Sequence, residues 1–179
     1  GPASVVAVDS LGPVEVPATA LYGARTARAV RHLSVSGRTL ADLPRLVEAL
    51  AAVKVAAAQA NRRAGVLPDA MASAIGDAAA GLPRLAADDP AQLPTDPLGG
   101  GGWIGVHQNV NEVVATVAAS LLGRFVDPIA HVAASQSTAD VCHTASRLAL
   151  LAALDEARLA LAAACAAWDD LARRSGDTA

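Results

Sequence analysis

The chain has 179 residues, enough for one ordinary domain with an extension, and a formal net charge of −3. Hydrophobic residues make up 53% of it and aromatic residues only 2%, so its apolar bulk comes from Ala, Leu and Val. It has no block of basic residues, and charges interrupt its longest Ala-rich run. We therefore expect neither a nucleic-acid partner nor a membrane span.

The cysteines and histidines give no sign of a metal site. Cys142 and Cys165 lie in one helical pattern, where 23 residues correspond to roughly 35 Å. A disulfide needs Cα atoms within about 7 Å, so we interpret both as reduced core thiols. There is no CxxC or HxxxH pair, and we expect no zinc and no cofactor. Without a visible signal peptide, we expect a cytoplasmic protein.

The N-terminal part begins with Gly1-Pro2, which we interpret as the remnant of a cleaved tag. Residues 4–16 predict extended or turn structure, punctuated by Gly12-Pro13. A turn at Gly23 and a short amphipathic segment follow.

Helical periodicity then becomes clear. A helix is expected with Thr39 or Asp42 as its cap and Pro44 in its first turn, closing at "NRRAG". A second helix should run from Asp69 to near Gly81. The residues that set the spacing of the first helix are Leu43, Leu46, Val47, Leu50 and Val53.

Residues 83–102 predict a long loop, with four prolines before a run of four glycines and an isolated Trp103 after it. Loops of this length are uncommon in compact domains and often functional, so a lid is one interpretation. The stretch "VHQNVNEVVATVAASLLG" predicts a third helix that ends at Gly123.

The stretch "ASQSTADVCHTA", residues 134–145, has two interpretations. Ser137 and Asp140 have the spacing of a helix capping box. The adjacent hydroxyls of Ser137 and Thr138 would also suit a carboxylate, because the free N–H groups at a helix N-terminus attract anions.

The last helix is expected from Thr138 to about Arg174, roughly 52 Å in length. A domain of the remaining size cannot cover so long a rod, so we expect an obligate helical oligomer. One apolar stripe is formed by Leu150, Leu154, Ala157, Leu161, Cys165 and Trp168.

Four blocks, in order, resemble the aspartase and class II fumarase family. The first, "DSLGPVEVPATALYGARTARAVRHLSVSG", resembles the family's opening. The others are "VKVAAAQANRRAGVLP", "NVNEVV" and "HVAASQSTADVCHTA". The resemblance stops before the family's G-R-T-H-x-Q-D segment and the glycine-rich loop that supplies its catalytic base.

This resemblance implies the fold class and the partners. Family members are homotetramers whose central helices share a bundle and whose active sites draw on three subunits. We therefore expect a mostly α protein, with a small N-terminal helical domain over residues 1–137. Residues 138–179 would form one long helix of a multi-chain central helical bundle, with a polar C-terminal tail. A companion chain carrying the C-terminal lyase half is the other expected partner.

The resemblance also implies the chemistry. Family members eliminate ammonia or water from a dicarboxylate, and charge develops on the carboxylate beside the abstracted proton. The catalytic base has no counterpart here. The residues at or near substrate-binding positions are Gln136, Ser137, Thr138, Asn109, Asn111, His107 and His143; we expect His131 to be structural and His32 to lie on the surface.

Several substrate-facing positions depart from the family pattern. Ala139 stands where the family has Asn, Gly102 where it has Ser, and Ile104 where it has Thr. His107 replaces the first Asn of N-x-N-x-N-E, and the segment corresponding to the family's H-P-N-D is Asp127-Pro128-Ile129-Ala130.

Three interpretations of function stay open. The chain is a subunit of a split lyase, a noncatalytic scaffold or regulator, or a protein with an altered apolar pocket for another small molecule. A fourth case is that the chain is a truncated piece of a longer enzyme. The stretch "RRSGDTA" argues against it, because it resembles a natural helix end. We favour the split lyase and expect the isolated chain to be inactive.

Overall fold

A computed structural model describes residues 3–176. The expected tag remnant, residues 1–2, and the end of the expected polar tail, residues 177–179, lie outside the described residues. The chain opens with an antiparallel hairpin of β1 (Ser4–Asp9) and β2 (Gly12–Pro17). The turn needs a glycine, because Gly12 has a φ of +102°.

The regular structure in the rest of the described chain is helical, and the prediction of a mostly α fold is confirmed. Short helical turns at residues 40–42, 90–92, 101–103 and 128–132 join the main helices. These helices are α1 (Ala24–Leu33), α2 (Pro44–Arg63), α3 (Asp69–Ala80), α4 (Leu82–Asp88), α5 (Ile104–Leu122) and α6 (Thr138–Ser175).

The prediction of one long loop over residues 83–102 is wrong in its first part. The helix α4 begins at Leu82 with Pro83 in its first turn, where the missing N–H costs nothing. Leu82 and Ala86, four residues apart, are buried on one face. The proline marked a helix start that we interpreted as a loop signal.

The cap expected for α2 is also wrong. Neither Thr39 nor Asp42 caps this helix, which begins at Pro44 itself. The Asp42 carboxylate instead accepts hydrogen bonds from the N–H and the hydroxyl of Thr39, at 2.7 and 3.1 Å. These bonds close the separate turn over residues 40–42.

The core forms where α2, α3 and α5 meet and where the first turns of α6 lie on α2. Its side chains are small, as the composition predicts, so the helices can approach closely. The fully buried members include Val47, Leu50, Ile75, Val110, Val113 and Val114.

The helix α6 leaves this core after its first two turns. Val141, Cys142 and Ala145 are buried, whereas Leu150, Leu154 and Trp168 are 61%, 61% and 71% exposed. The 38 residues of α6 extend about 57 Å, so within this chain most of its apolar stripe is uncovered. No helix within residues 3–176 has the length and apolar character needed to cross a bilayer.

The interpretation of both cysteines as core thiols is wrong for one of them. Cys142 is buried beside α2, whereas Cys165 is exposed on the outer part of α6. Both are free. Cys165 belongs to the apolar stripe, so its surroundings depend on what covers that stripe.

Candidate functional site

The N-terminus of α6 is built around Ser137. Its hydroxyl accepts a hydrogen bond from the N–H of Asp140 at 3.1 Å and donates to the Asp140 carboxylate at 2.7 Å. The carboxylate also accepts from the Ser137 N–H at 3.2 Å. These mutual bonds hold the pKa of Asp140 below its usual value. The Ser137 hydroxyl is thus engaged in a capping box.

Thr138, the first residue of α6, contacts α5 through its side chain. Its Oγ1 lies 3.0 Å from Nδ1 of His107, and His107 is only 3% exposed. The backbone N–H groups of Thr138 and Ala139 take part in none of the hydrogen bonds found among residues 3–176. The Thr138 hydroxyl and two free N–H groups therefore meet at one helix end.

Lys54, from the middle of α2, completes the group from the inside. Its Nζ lies 3.0 Å from Nε2 of His107 and 2.8 Å from Oε1 of Gln136, and the residue is 1% exposed. We call Lys54, His107, Gln136 and Thr138 the Lys54 cluster. Its members come from α2, α5 and the two residues flanking Ser137.

Burial shifts the titration of this cluster. It lowers the pKa of Lys54 to about 7, because a charged amine loses its hydration there. Burial, with the nearby Lys54 charge as the smaller cause, lowers the pKa of His107 to about 4. Between these values the amine is charged and the imidazole is neutral.

Cys142 borders the cluster from α6. Burial raises the pKa of its thiol to about 11, and the Lys54 charge opposes that rise only in part. The thiol is therefore protonated at neutral pH. Thiolate chemistry has no support at this position.

Gln136 and Asn109 are both expected to bind substrate, but their side-chain amides form hydrogen bonds within the protein. Gln136 donates to the carbonyls of Val132 and Ala134, at 2.9 and 3.0 Å, while its Oε1 accepts from Lys54. Asn109 accepts from Thr95 at 3.1 Å and donates to the Gln92 carbonyl at 2.9 Å. These contacts brace the segment before α6 and the turn before α5.

Asn111 differs from these two residues. It is fully buried, and neither its Oδ1 nor its Nδ2 has a hydrogen-bond partner among the described residues. A buried amide without partners is costly, and a buried water is the usual way to satisfy it.

The remaining histidines lie outside the Lys54 cluster. His143 is exposed on α6, and His32 is exposed at the end of α1. His131 accepts a hydrogen bond at Nδ1 from the N–H of Asp127, at 2.9 Å, and so holds the turn before α6.

Three of the positions that depart from the family pattern lie on the surface of this chain, whereas a fourth, His107, is buried. Ala139 and Gly102 are exposed, and Ile104 is 39% exposed. Gly100, Gly101, Gly102 and Trp103 all have φ between +62° and +82°, so the glycines supply a left-handed entry to α5.

Sequence reasoning missed Lys54. It is the only lysine of the chain, and it lies in the predominantly apolar run "ALAAVKVAAA". A charged residue on a buried, apolar helix face usually has a polar partner. The lone lysine therefore indicated a partner, but not which one, because His107 and Gln136 are 53 and 82 residues away in sequence.

Comparison with known proteins gives one consistent family. The profile of a family described as "Lyase" matches residues 12–175. Aspartate ammonia-lyase of Pseudomonas aeruginosa is 43% identical over 149 residues, covering 80% of this chain and 31% of the relative. Class II fumarate hydratase of Halobacterium salinarum is 44% identical over 151 residues, covering 82% and 31%.

Solved structures agree with these sequence matches. A Brucella melitensis protein described as fumarate lyase:delta crystallin, in native form, matches with a TM-score of 0.87 and 36% identity. That match covers 96% of this chain and 41% of the other. Class II fumarase of Schistosoma mansoni matches with a TM-score of 0.74 and 31% identity, covering 82% and 32%. The chain spans about a third of the length of the curated relatives it matches.

Proposed function

Since the chain belongs to the aspartase and class II fumarase family of lyases, we propose that it supplies the carboxylate-binding part of a lyase site shared among several chains. The reaction would be the elimination of ammonia or water from a dicarboxylate. Other chains would supply the base and the remaining contacts. The N-terminal domain would extend to residue 137, and α6 would be one helix of the central bundle, followed by a polar tail.

The observation that carries the proposal is the open donor set at the N-terminus of α6. The N–H groups of Thr138 and Ala139 have no acceptor among the described residues, and the Thr138 hydroxyl lies beside them, 3.0 Å from Nδ1 of His107. Donors fixed at a helix N-terminus stabilise an anion, and they stabilise most the extra charge that develops in the transition state.

The exposed stripe of α6 supports a shared site. Leu154, Leu161 and Trp168 are 61%, 65% and 71% exposed in this chain, which is a large apolar surface on one helix. Copies of this chain or a companion chain would cover the stripe. The same packing would bring residues from those chains towards the N-terminus of α6.

A fumarate titration of the isotope-labelled chain tests the carboxylate-binding part. We expect weak binding, in the millimolar range, that shifts the amide signals of Thr138 and Ala139. The neutral diamide of fumarate should not cause these shifts. Thr138→Val should weaken the response, whereas Ser146→Ala, a change elsewhere on α6, should leave it intact. Equal shifts with the diamide would contradict a carboxylate site.

An activity assay tests the partner-dependent part. The pure chain should form no fumarate from aspartate or malate, as followed by ultraviolet absorbance. Supplying a chain with the family's missing C-terminal half should restore fumarate formation. Turnover by the pure chain alone would contradict the shared site.

A second candidate is a noncatalytic member of the family. The observation in its favour is that three substrate-facing positions, Ala139, Gly102 and Ile104, have no polar side-chain group. Each lost hydrogen bond to a charged ligand is worth about 1.5–3 kcal/mol. If neither the pure chain nor its mixtures bind fumarate, this scaffold or regulator function is favoured.

A third candidate is an altered pocket. Ile104 lines a surface cavity of about 410 Å³ between α1 and α5, together with the apolar Leu11, Ala29 and Leu33. Polar and charged side chains also line it, namely Asp9, Ser10, Arg25, Arg28, His32 and Gln108. Such a mixed lining would suit a small molecule that has both an apolar part and polar groups. A ligand of that kind that shifts the Ile104 signals while fumarate has no effect would favour it.

A further inference from the structure

The hydrogen bonds of Gln136 fix the direction of those made by Lys54. The Gln136 amide nitrogen donates to the carbonyls of Val132 and Ala134. Its oxygen must therefore face Lys54 and accept, at 2.8 Å. The opposite amide orientation would place donors against Lys54 and an acceptor against two carbonyls.

The direction continues through His107. A charged Lys54 has three protons and no lone pair, so it can only donate to Nε2 of His107, 3.0 Å away. A neutral imidazole that accepts at Nε2 carries its proton on Nδ1. That proton points at Oγ1 of Thr138, 3.0 Å away.

The Thr138 oxygen then accepts from His107, and its own proton has no partner among residues 3–176. We propose that Lys54 and His107 are positioning residues that orient the Thr138 hydroxyl as a donor towards a substrate carboxylate. The inference rests on the proposed function for its ligand. Its geometry rests on three contacts, which join Gln136 to Lys54, Lys54 to His107, and His107 to Thr138.

The opposite arrangement shows why the direction matters. If Nε2 of His107 carried the proton, Nδ1 would accept from the Thr138 hydroxyl. The hydroxyl oxygen would then present only lone pairs to an incoming carboxylate, which repels it. One proton on one imidazole therefore decides whether Thr138 favours or opposes an anion.

The charges around Lys54 permit the proposed arrangement. The titratable groups that face it are His107 from α5 and the thiol of Cys142 from α6. Burial brings the pKa of Lys54 to about 7 and that of His107 to about 4. At pH 5.5, midway between about 4 and 7, Lys54 is charged and His107 neutral.

Nitrogen NMR of histidine-labelled protein reads the tautomer directly. At this pH the wild-type chain should show His107 with a protonated Nδ1 and a bare Nε2. His107→Gln assigns the signal by its loss, and His32→Gln, at an exposed histidine, serves as the matched control. A protonated Nε2 of His107 in the wild type would overturn the inference.

Variants test the cause. Lys54→Met, once its fold is verified by circular dichroism, should move the His107 proton to Nε2; an unchanged tautomer would overturn the role of Lys54. His107→Gln offers an amide acceptor and donor in place of Nε2 and Nδ1. It should keep the fumarate response of Thr138, which His107→Leu should lose. Equal loss or equal retention in both variants would overturn the role of His107.

The outcomes separate this inference from the proposed function. If His107 is protonated at Nδ1 but fumarate causes no response, the proposed carboxylate-binding site is refuted, and so is the ligand assigned to Thr138. An Nε2-protonated His107 with a normal fumarate response would sink the positioning role alone.

Discussion

The hydroxyl of Thr26 donates a 2.6 Å hydrogen bond to the carboxylate of Glu112, and the bond is buried. The same carboxylate accepts from the N–H groups of Gly23, Arg25 and Thr26 at 2.9–3.1 Å. Glu112 thus caps α1 from the middle of α5, across 86 residues or more of sequence. A Cβ at Gly23 would lie 3.0 Å from its Oε1, so glycine also permits the approach.

The first prediction follows from this cap. Glu112→Gln should lower the free energy of unfolding by about 2–4 kcal/mol, because an amide places N–H donors against N–H donors and removes the charge. Urea unfolding followed by circular dichroism measures the change. Glu48→Gln, at an exposed residue of α2, is the matched control. A Glu112→Gln loss no larger than the control's would show that the cap is dispensable.

The second prediction concerns His107 at acidic pH. The folded pKa is lowered to about 4, from an ordinary value of 6.5. Between these two pH values the unfolded chain binds more protons, so stability should fall as the pH drops. The slope from this group is at most about 1.4 kcal/mol per pH unit. His107→Gln should lose that contribution to urea unfolding, and His32→Gln should retain it.

Asp96 adds to the same acid sensitivity, but at lower pH. Its carboxylate accepts from the hydroxyl and N–H of Ser36 and from the N–H groups of Val35 and Leu98. These bonds hold its pKa far below its usual range. Its contribution is present above the ordinary carboxyl pKa and is lost as the pH falls below it. Asp96→Asn should therefore flatten the stability profile below about pH 4.

The third prediction concerns Lys54 at alkaline pH. Its folded pKa is lowered to about 7 from 10.5, so above pH 7 the unfolded chain holds the extra proton and stability should rise with pH. Cys142 acts oppositely from about pH 9, because its folded pKa is raised from 9 to about 11. The rise should therefore be clearest between pH 7 and 9.

Lys54→Met provides the comparison, because it removes the titrating amine but keeps a long side chain. Between pH 7 and 9 the variant should lack the rising contribution, which is at most about 1.4 kcal/mol per pH unit. As the chain has a single lysine, carbon NMR of labelled lysine gives its pKa without overlap. A midpoint near 10.5 would contradict a buried, weakly hydrated amine.

The fourth prediction concerns the exposed stripe of α6. The chain should self-associate or co-purify with a companion, and Leu154→Glu with Leu161→Glu should abolish association. Since both leucines are exposed within the chain, the paired change should hardly alter the circular dichroism of the monomer. Light scattering after size exclusion measures the mass, with Arg158→Gln as control. A wild-type monomer would refute the shared assembly.

Local spacing predicted much of the fold. The bounds of α3, α5 and α6 follow from apolar periodicity and from Gly81, Gly123 and Ser137 at their ends. Helix α4 was not predicted, because a proline is frequent both in loops and in the first turn of a helix. The exposure of Cys165 was missed because the stripe that contains it has nothing to pack on within this chain.

The candidate site was only half predictable. Ser137 and Asp140 are three residues apart, so their capping box follows from the sequence. The partners of Thr138 depend on how α2, α5 and α6 meet, and no local rule places Lys54 beside His107. The same holds for Asn111, whose burial without partners among the described residues depends on tertiary packing.

An ion pair between Arg45 and Glu156 ties the middle of α6, which begins at residue 138, to the first turn of α2. Beyond it, α6 continues to Ser175, about 29 Å further, and Asp170 pairs there with Arg173 and Arg174 of the same helix. Over that length, a tilt of a few degrees at the base becomes a displacement of a few ångströms at the tip. A neighbouring chain that binds the far end of α6 and displaces it would therefore change the tilt of the first turn, which contains Thr138.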